Sequence, residues 1–196
     1  MKNWFFKTLP ENYTAIYRIN AKDSRTGLIL NFFALLLSVA VFVPLTFIVN
    51  LSPLLKDLSK LSATLFVGLA GVLLYMVLHE LLHGLAYKLT TKQKLTFGIS
   101  WSCAFCGVPD IYVTRKTALI ALMTPFVVFT VAFIIALVLS ISNPFVFAVI
   151  GFVFAMHVGG CAGDLYVFFL LTFKYKNKLL LMQDTGPEQT FYLQEK

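Results

Sequence analysis

Three residues in one short stretch have the types and spacing of a hydrolytic metal site. His79, Glu80 and His83 form an H-E-x-x-H motif inside an apolar run. On a helix the two histidines lie one turn apart on the same face, so both imidazoles can bind one zinc ion. A carboxylate beside such an ion can act as a general base toward water. The motif therefore predicts a zinc site with Glu80 in the catalytic role.

The setting of this motif indicates a membrane. Of the 196 residues, 59% are hydrophobic and only 13% are charged, whereas soluble domains are about 45–50% apolar. The chain is therefore expected to be an integral membrane protein in contact with a lipid bilayer. Its net charge of +7 does not indicate nucleic-acid binding, because the lysines and arginines cluster beside apolar segments, as membrane topology requires.

Four apolar segments are long enough to cross a membrane as helices. The expected fold is an all-α polytopic membrane protein, and residues 1–196 are expected to form a single membrane domain. Basic residues flank the segments so that both termini should be cytoplasmic. The predicted segments are a cytoplasmic juxtamembrane segment at 1–27, spans at about 28–51, 61–87, 117–140 and 144–173, and a cytoplasmic tail at 174–196.

A catalytic zinc ion needs a third protein ligand if one position is to stay open for water. Asp164 and His157, both on span four, are the candidates. Helical rise places the motif histidines roughly 7–14 Å inside the cytoplasmic end of span two, Asp164 roughly 15 Å from that side and His157 roughly 25 Å. Asp164 is therefore the expected ligand and His157 an accessory or alternative one, although glycines within 159–163 could interrupt the helix.

The loop between spans two and three carries the pattern of a strand. Apolar and small polar residues alternate with a period of two over 95–101, and 111–114 is expected to pair with this strand across a turn at 107–110. The result would be a short membrane-associated β-hairpin. It is either a covering flap or an exposed edge that holds an extended substrate beside the metal. The residues of that edge would be Phe97, Gly98, Ile99 and Ser100.

Two cysteines in the same loop have the spacing of half a zinc-ribbon site. Cys103 and Cys106 are separated by two residues, but the loop contains no second pair of Cys or His ligands. Four ligands are needed to close a structural zinc site. A separate zinc site is therefore not expected in this loop.

The order of these parts is similar to that of the site-2 protease group of intramembrane zinc metalloproteases: the motif on one membrane helix, then a strand-containing loop, then an aspartate two helices later. Gly163-Asp164-Leu165, followed by Lys174 to Lys178 and Asp184, resembles the small bacterial membrane proteins classed as putative zincin peptidases, over roughly 11–193. The resemblance implies a multi-pass protein of the bacterial plasma membrane. It would be a zinc metallopeptidase that cleaves membrane-embedded or membrane-proximal proteins or peptides near the cytoplasmic face.

Two other functions could use the same residues. A non-proteolytic metal-binding or transport protein needs the ligands but has no need of a general base at Glu80. An inactive, protease-like membrane chaperone would fold around the polar cluster without turning over a substrate. The sequence leaves open the substrate, the oligomeric state and the role of His157, which could orient a ligand, stabilise an oxyanion or line a water path.

Overall fold

The computed structural model of the protein describes residues 3–99 and 104–195. Within these residues the chain is mostly helical. The helices are α1 (Ser24–Leu45), α2 (Ser52–Leu55), α3 (Leu58–Thr91), α4 (Arg115–Ser140), α5 (Pro144–Gly160) and α6 (Ala162–Phe169), and a π-helical segment, Leu170–Lys174, follows α6. The strands are β1 (Phe5–Phe6), β2 (Tyr13–Asn20), β3 (Thr96–Ile99), β4 (Ala104–Gly107), β5 (Tyr112–Thr114), β6 (Leu180–Asp184) and β7 (Glu188–Gln194).

Four helical stretches of the described chain are long and apolar enough to cross a membrane, as the sequence predicted. They are Ser24–Leu45, Leu58–Thr91, Arg115–Ser140 and Pro144–Lys174. The first begins before the predicted residue 28 because the Asp23 carboxylate accepts a hydrogen bond from the backbone N–H of Thr26 at 3.0 Å and so caps the helix. It ends soon after Pro44, which cannot donate a backbone hydrogen bond.

The fold is mostly helical, as expected, but the all-α description is incomplete, because the described residues also form a five-stranded antiparallel sheet. Its strand order is β1-β5-β6-β7-β2. β2 pairs with β7 from Tyr13 to Asn20, and Arg18 and Glu188 form a salt bridge between these strands. The two terminal segments predicted at 1–27 and 174–196 therefore supply β1, β2, β6 and β7 to one sheet.

The hairpin in the loop between α3 and α4 has a different partner from the predicted one. β3 pairs with β4, with Phe97 opposite Cys106, whereas the predicted partner at 111–114 contains β5, which pairs with β1 and β6. Gly107 was expected in the turn of the hairpin. It instead lies against the backbone after β6, where an added Cβ would come within 2.3 Å of the Gly186 nitrogen. Through this close contact the end of β4 packs against the turn that follows β6 of the larger sheet.

The chain divides into two compact units. The first comprises Met1–Leu30, His79–Pro125 and Gly163–Lys196, and the second comprises Asn31–Leu78 and Phe126–Ala162. The first unit contains both sheets and an apolar core in which the helices meet the strands. Core residues exposed by no more than 1% include Tyr87, Val108, Ile111, Val113, Ala118, Ala121, Met182 and Phe191.

The second unit is built from helices that approach one another at glycine. An added Cβ on Gly159 of α5 would lie 2.1 Å from the Ser38 Oγ and 2.4 Å from the Ala34 carbonyl oxygen, both on α1. Small residues allow this kind of backbone contact between apolar helices, where packing replaces the hydrophobic drive available in water. The first unit holds the sequence-predicted motif, and the second holds His157.

Candidate metal centre

The two motif histidines lie on α3 and point their ring nitrogens at one position. Both are 7% exposed, and their Nε2 atoms are 3.0 Å apart. The His83 Nδ1–H donates a hydrogen bond to the carbonyl oxygen of Ala121 on α4 at 2.9 Å. Because a carbonyl oxygen only accepts, Nδ1 of the neutral ring carries the proton and Nε2 keeps its lone pair for a metal ion.

Asp164 completes a triangle of ligand atoms. Its Oδ2 lies 3.2 Å from the His79 Nε2 and 3.4 Å from the His83 Nε2. Tetrahedral ligands at about 2.0–2.2 Å from zinc are separated from one another by roughly 3.3–3.6 Å. The three separations, 3.0, 3.2 and 3.4 Å, are at or slightly below this range, so a small outward shift would let two imidazoles and a carboxylate bind one zinc ion and leave a fourth position for water. The three side chains assigned to the metal from the sequence therefore lie together.

A break in the last membrane-length helix precedes Asp164. α5 ends at Gly160, Cys161 leaves helical geometry with a ψ of 3°, and α6 begins at Ala162. The interruption falls within the glycine-containing stretch 159–163 that the sequence suggested. Asp164 consequently lies in the first turn of a new helix, where unpaired backbone N–H groups favour a carboxylate.

Glu80 lies beside the same cluster. One carboxylate oxygen of Glu80 and one ring nitrogen from each motif histidine all lie within 4.8 Å of one another. The carboxylate also interacts with the backbone amide of Cys106 on β4. A water molecule that binds between the ligand atoms and this carboxylate would be in reach of a general base. The placement suits the role that the motif predicts for Glu80.

The β3–β4 hairpin packs on α3 at the residue that follows His83. An added Cβ on Gly84 would lie 2.6 Å from the Phe97 Cζ and 3.3 Å from the Cys106 Sγ. The predicted substrate edge at Phe97, Gly98 and Ile99 forms most of β3. Phe97 is 48% exposed and Ile99 is 78% exposed. Ser100, the fourth residue predicted for this edge, lies outside the described residues. Gly84 therefore allows an exposed strand to lie next to the motif.

Replacing Gly84 with alanine is expected to push the Phe97 ring away from α3. The added methyl group meets the far end of a ring that is 48% exposed and can turn aside, so the unfolding free energy should change little, whereas hydrogen exchange at the backbone amides of 96–99 should become faster. Gly163→Ala is a matched control, since nothing lies within 4 Å of its added Cβ. Alanine is the better helix former there, by up to about 1 kcal/mol. Equal exchange rates in both variants would show that the hairpin does not depend on Gly84.

Cys106 is not prepared to bind a metal ion as a thiolate. Burial raises the pKa of its thiol, and together with the nearby carboxylates of Glu80 and Asp184 it brings the value to about 12. The thiol therefore stays protonated at neutral pH, whereas metal ligation by cysteine requires the thiolate. Cys103, the other cysteine of the predicted half-site, lies outside the described residues.

His157 occupies a polar position inside the second unit. It is completely buried; its Nδ1 lies 2.9 Å from the Tyr75 hydroxyl and its Nε2 lies 3.0 Å from the Thr130 hydroxyl. Both ring nitrogens thus have protein partners. Four phenylalanine rings pack around the imidazole: Phe126, Phe129, Phe133 and Phe154. These contacts are those of a hydrogen-bonded core histidine.

A buried hydrogen bond between a phenol and a carboxyl group beside the motif was not predicted from the sequence. The Tyr87 hydroxyl, one helical turn after His83, donates a hydrogen bond to the Asp184 Oδ2 at 2.6 Å. Asp184 is 3% exposed. One signal was available, since the run of apolar residues at 179–182 predicts a buried strand in the terminal segment. Asp184 comes after that run, separated from it by one glutamine.

The buried Asp184 makes stability depend on pH. Burial raises the pKa of its carboxyl from an ordinary 3.8 to about 6, against the lowering effect of hydrogen bonds from Tyr87 and Gly186. Between these values the folded protein binds the proton more tightly than the unfolded chain does. The Asp184 contribution is therefore greatest below about pH 4 and is lost as the pH rises through about 6, by on the order of 3 kcal/mol.

Asp184→Asn is expected to remove this part of the pH dependence. Unfolding free energies of the wild type and the variant, measured in detergent from pH 4 to pH 7, should differ by an amount that changes steadily across that range. Titrating groups that do not interact with Asp184 contribute equally to both proteins and cancel in the difference. Parallel curves would contradict a raised pKa at Asp184.

An H-E-x-x-H motif on a helix of membrane-spanning length, with Asp164 beside it, has the ligand set of a zinc metallopeptidase. A family model described as "Putative zincin peptidase" matches residues 72–179, which include the motif and Asp164. The match covers more than half of the chain, so the protein belongs to this family, as the sequence predicted. No curated protein and no solved structure matches the chain. The similarity to the site-2 protease group stays a prediction.

Proposed function

We propose that the protein is an intramembrane zinc metallopeptidase. It hydrolyses peptide bonds of membrane-embedded or membrane-proximal substrates near the cytoplasmic face of the cell membrane. The observation that carries this proposal is the triangle formed by the His79 Nε2, the His83 Nε2 and the Asp164 Oδ2, with Glu80 beside it. The family description supports both the metal and the reaction class.

In this proposal His79, His83 and Asp164 hold the zinc ion. The ion, when bound, activates a water molecule and polarises the carbonyl of the bond to be cleaved. The carbonyl oxygen of Ala121 keeps the His83 ring in the tautomer that leaves Nε2 unprotonated. The Asp164 carboxylate supplies negative charge that offsets part of the charge of the ion in a buried site.

Glu80 moves the proton. Its carboxylate takes a proton from the attacking water as the new carbon–oxygen bond forms, and passes it to the amine nitrogen as the carbon–nitrogen bond breaks. The reaction consumes one water and yields a carboxylic acid and an amine, so no other reactant is needed. The backbone amide of Cys106 holds the carboxylate of Glu80 in place from the β4 side.

The distribution of charge supports a membrane location and a cytoplasmic opening. Lysines follow the end of α3, begin α4 and follow the π-helical segment, and all of these ends lie in the unit that carries both sheets. Basic residues beside membrane helices face the cytoplasm. The sheets and the end of α3 that holds the motif should therefore lie on the cytoplasmic side.

The hairpin supplies a site for an extended substrate. Within the described chain β3 pairs only with β4, so the other edge of β3 is open to a further strand. The packing of Phe97 at Gly84 places that edge next to the motif. A helical substrate hides its carbonyl groups in hydrogen bonds and must unwind before attack. The β3 edge would offer replacement backbone partners to the unwound segment.

The proposal is tested by comparing the membrane proteomes of cells that express the wild type or Glu80→Gln. One or more membrane proteins should accumulate intact in the variant, and their fragments should be found only with the wild type. Identical proteomes together with normal zinc content would favour a metal-binding or transport protein. Purified protein that never takes up zinc would favour the chaperone-like alternative.

A further inference from the structure

We propose that Asp184 is a positioning residue of the metal centre, which acts on α3 through Tyr87 and on strand β4 through its own backbone. This inference rests on the proposed function and adds a residue beyond the family match at 72–179. Asp184 bonds to both elements that surround Glu80. Its carboxylate accepts from the Tyr87 hydroxyl, and its carbonyl oxygen accepts from the backbone N–H of Val108, just after β4, at 2.8 Å.

The first link fixes the end of the motif helix. Tyr87 lies one turn after His83 and therefore on the same face of α3. Its hydroxyl and the Asp184 carboxyl are both buried and 2.6 Å apart, the length of a strong hydrogen bond to an ionised acceptor. A bond of this kind opposes rotation of the last turns of α3. The direction of the His83 ring depends on that rotation.

The second link fixes the strand that meets Glu80. The Gly186 N–H donates to the Asp184 Oδ1 at 2.9 Å, which holds the turn after β6 in one conformation. Gly107 packs against the backbone of that turn so closely that no side chain would fit. A displacement of Asp184 would therefore shift β4, and with it the Cys106 amide that interacts with the Glu80 carboxylate.

Gln183, next to Asp184 on β6, is a control residue. It distinguishes positioning of α3 by Asp184 from a general loss of contacts that hold the sheet. The Gln183 side-chain amide donates to the Pro109 carbonyl oxygen at 2.9 Å. This bond also ties β6 to the loop after β4, but it does not reach α3. Leu181 is a second reference residue, since it is 2% exposed on the same strand and makes no side-chain hydrogen bond. Its truncation tests the effect of lost core packing alone.

The experiment measures metal binding by the full chain in detergent. The zinc dissociation constant is determined by competition with a chromophoric chelator, and the visible absorption of the Co²⁺-substituted protein reports the geometry of the ligands. Asp184→Ala and Tyr87→Phe should each weaken zinc binding by about tenfold, within the range for supporting residues of metal sites, and should alter the cobalt spectrum. The two changes together should cost no more than Asp184→Ala alone, because they break the same link.

Asp184→Asn should retain most of the zinc affinity. The asparagine oxygen can accept from the Gly186 N–H, and its amide can donate to the Tyr87 hydroxyl oxygen, so the same atoms stay joined. Gln183→Ala and Leu181→Ala should leave the cobalt spectrum unchanged in the folded fraction. If Asp184→Ala does not fold, Tyr87→Phe carries the test, since it removes one hydroxyl group.

The outcomes distinguish this inference from the proposed function. Wild-type protein without zinc would overturn the proposed function and this inference with it. Zinc-binding wild type with unchanged affinity and spectrum in Tyr87→Phe and Asp184→Ala would overturn the inference alone. Equal losses in Gln183→Ala or Leu181→Ala would also overturn it, because general stability would then account for the effect.

Discussion

Glu80→Gln is expected to bind zinc as tightly as the wild type and to cleave a substrate roughly 10²–10⁴-fold more slowly, the usual contribution of a general base. Glutamine keeps the size of the side chain and its hydrogen-bond acceptor, but it cannot take a proton from water. The ligand atoms of His79, His83 and Asp164 are untouched by the change. The measurement pairs zinc content of purified protein with the rate of cleavage of a substrate identified from the proteome comparison.

A ligand variant provides the control for this result. His83→Ala should lose zinc and activity together, whereas Glu80→Gln should lose activity alone. The comparison distinguishes the removal of a base from the collapse of the site. Wild-type cleavage rates in Glu80→Gln would show that a different group handles the proton.

Asp164→Ala is expected to lower the zinc affinity by more than 100-fold. If the roughly 10–16 kcal/mol of a structural zinc site is shared among four ligands, each supplies on the order of 3 kcal/mol. His157→Ala should keep the metal, because its two ring nitrogens are bonded to Tyr75 and Thr130. It should instead destabilise the second unit. Zinc content after gel filtration and the unfolding temperature measure the two effects separately.

The opposite pattern would reassign the third ligand. If His157→Ala alone releases zinc from folded protein, the imidazole and not the carboxylate completes the site. Asp164→Asn sharpens the comparison, since it preserves the volume of the side chain and removes its charge. Loss of zinc in Asp164→Asn, with an unfolding temperature equal to that of the zinc-free wild type, would point to ligation directly.

The parts of the protein that the sequence predicted well have local signals. Long uncharged runs predict helices of membrane-spanning length, and a five-residue pattern predicts His79, Glu80 and His83 on one face. Asp164 required a comparison of two helices, which was possible because lysines mark the same end of each. The helix break at Cys161 alters the straight-helix geometry of that comparison, yet the carboxylate still meets the histidines.

The sheet could not be predicted because its pairings join distant parts of the chain. Arg18 and Glu188, which form a salt bridge, are 170 residues apart, and no local pattern determines such a contact. β6 lacks a period of two, since Leu180, Leu181 and Met182 are all buried. The segment was therefore predicted as part of a cytoplasmic tail on the basis of the lysines before it.

The wrong partner for β3 has a related cause. The glycine, proline and aspartate at 107–110 suggested a reversal of the chain, but Gly107 serves a close contact with the backbone near Gly186. β5 is held by β1 and β6. The contact between Tyr87 and Asp184 was missed for the same reason, since it depends on how β6 docks against α3.

The pairing of β2 with β7 has a consequence for biosynthesis. A ribosome makes β2 early and β7 last among the described strands, so β2 waits without its partner while all of the described helices are made. The three proposed zinc ligands are made before β7, because Asp164 precedes the start of that strand at Glu188. The pairing of β2 with β7 can therefore form only after translation has reached the end of β7. Chains released early would keep an unpaired β2 edge, a feature that favours aggregation and removal by quality-control proteases.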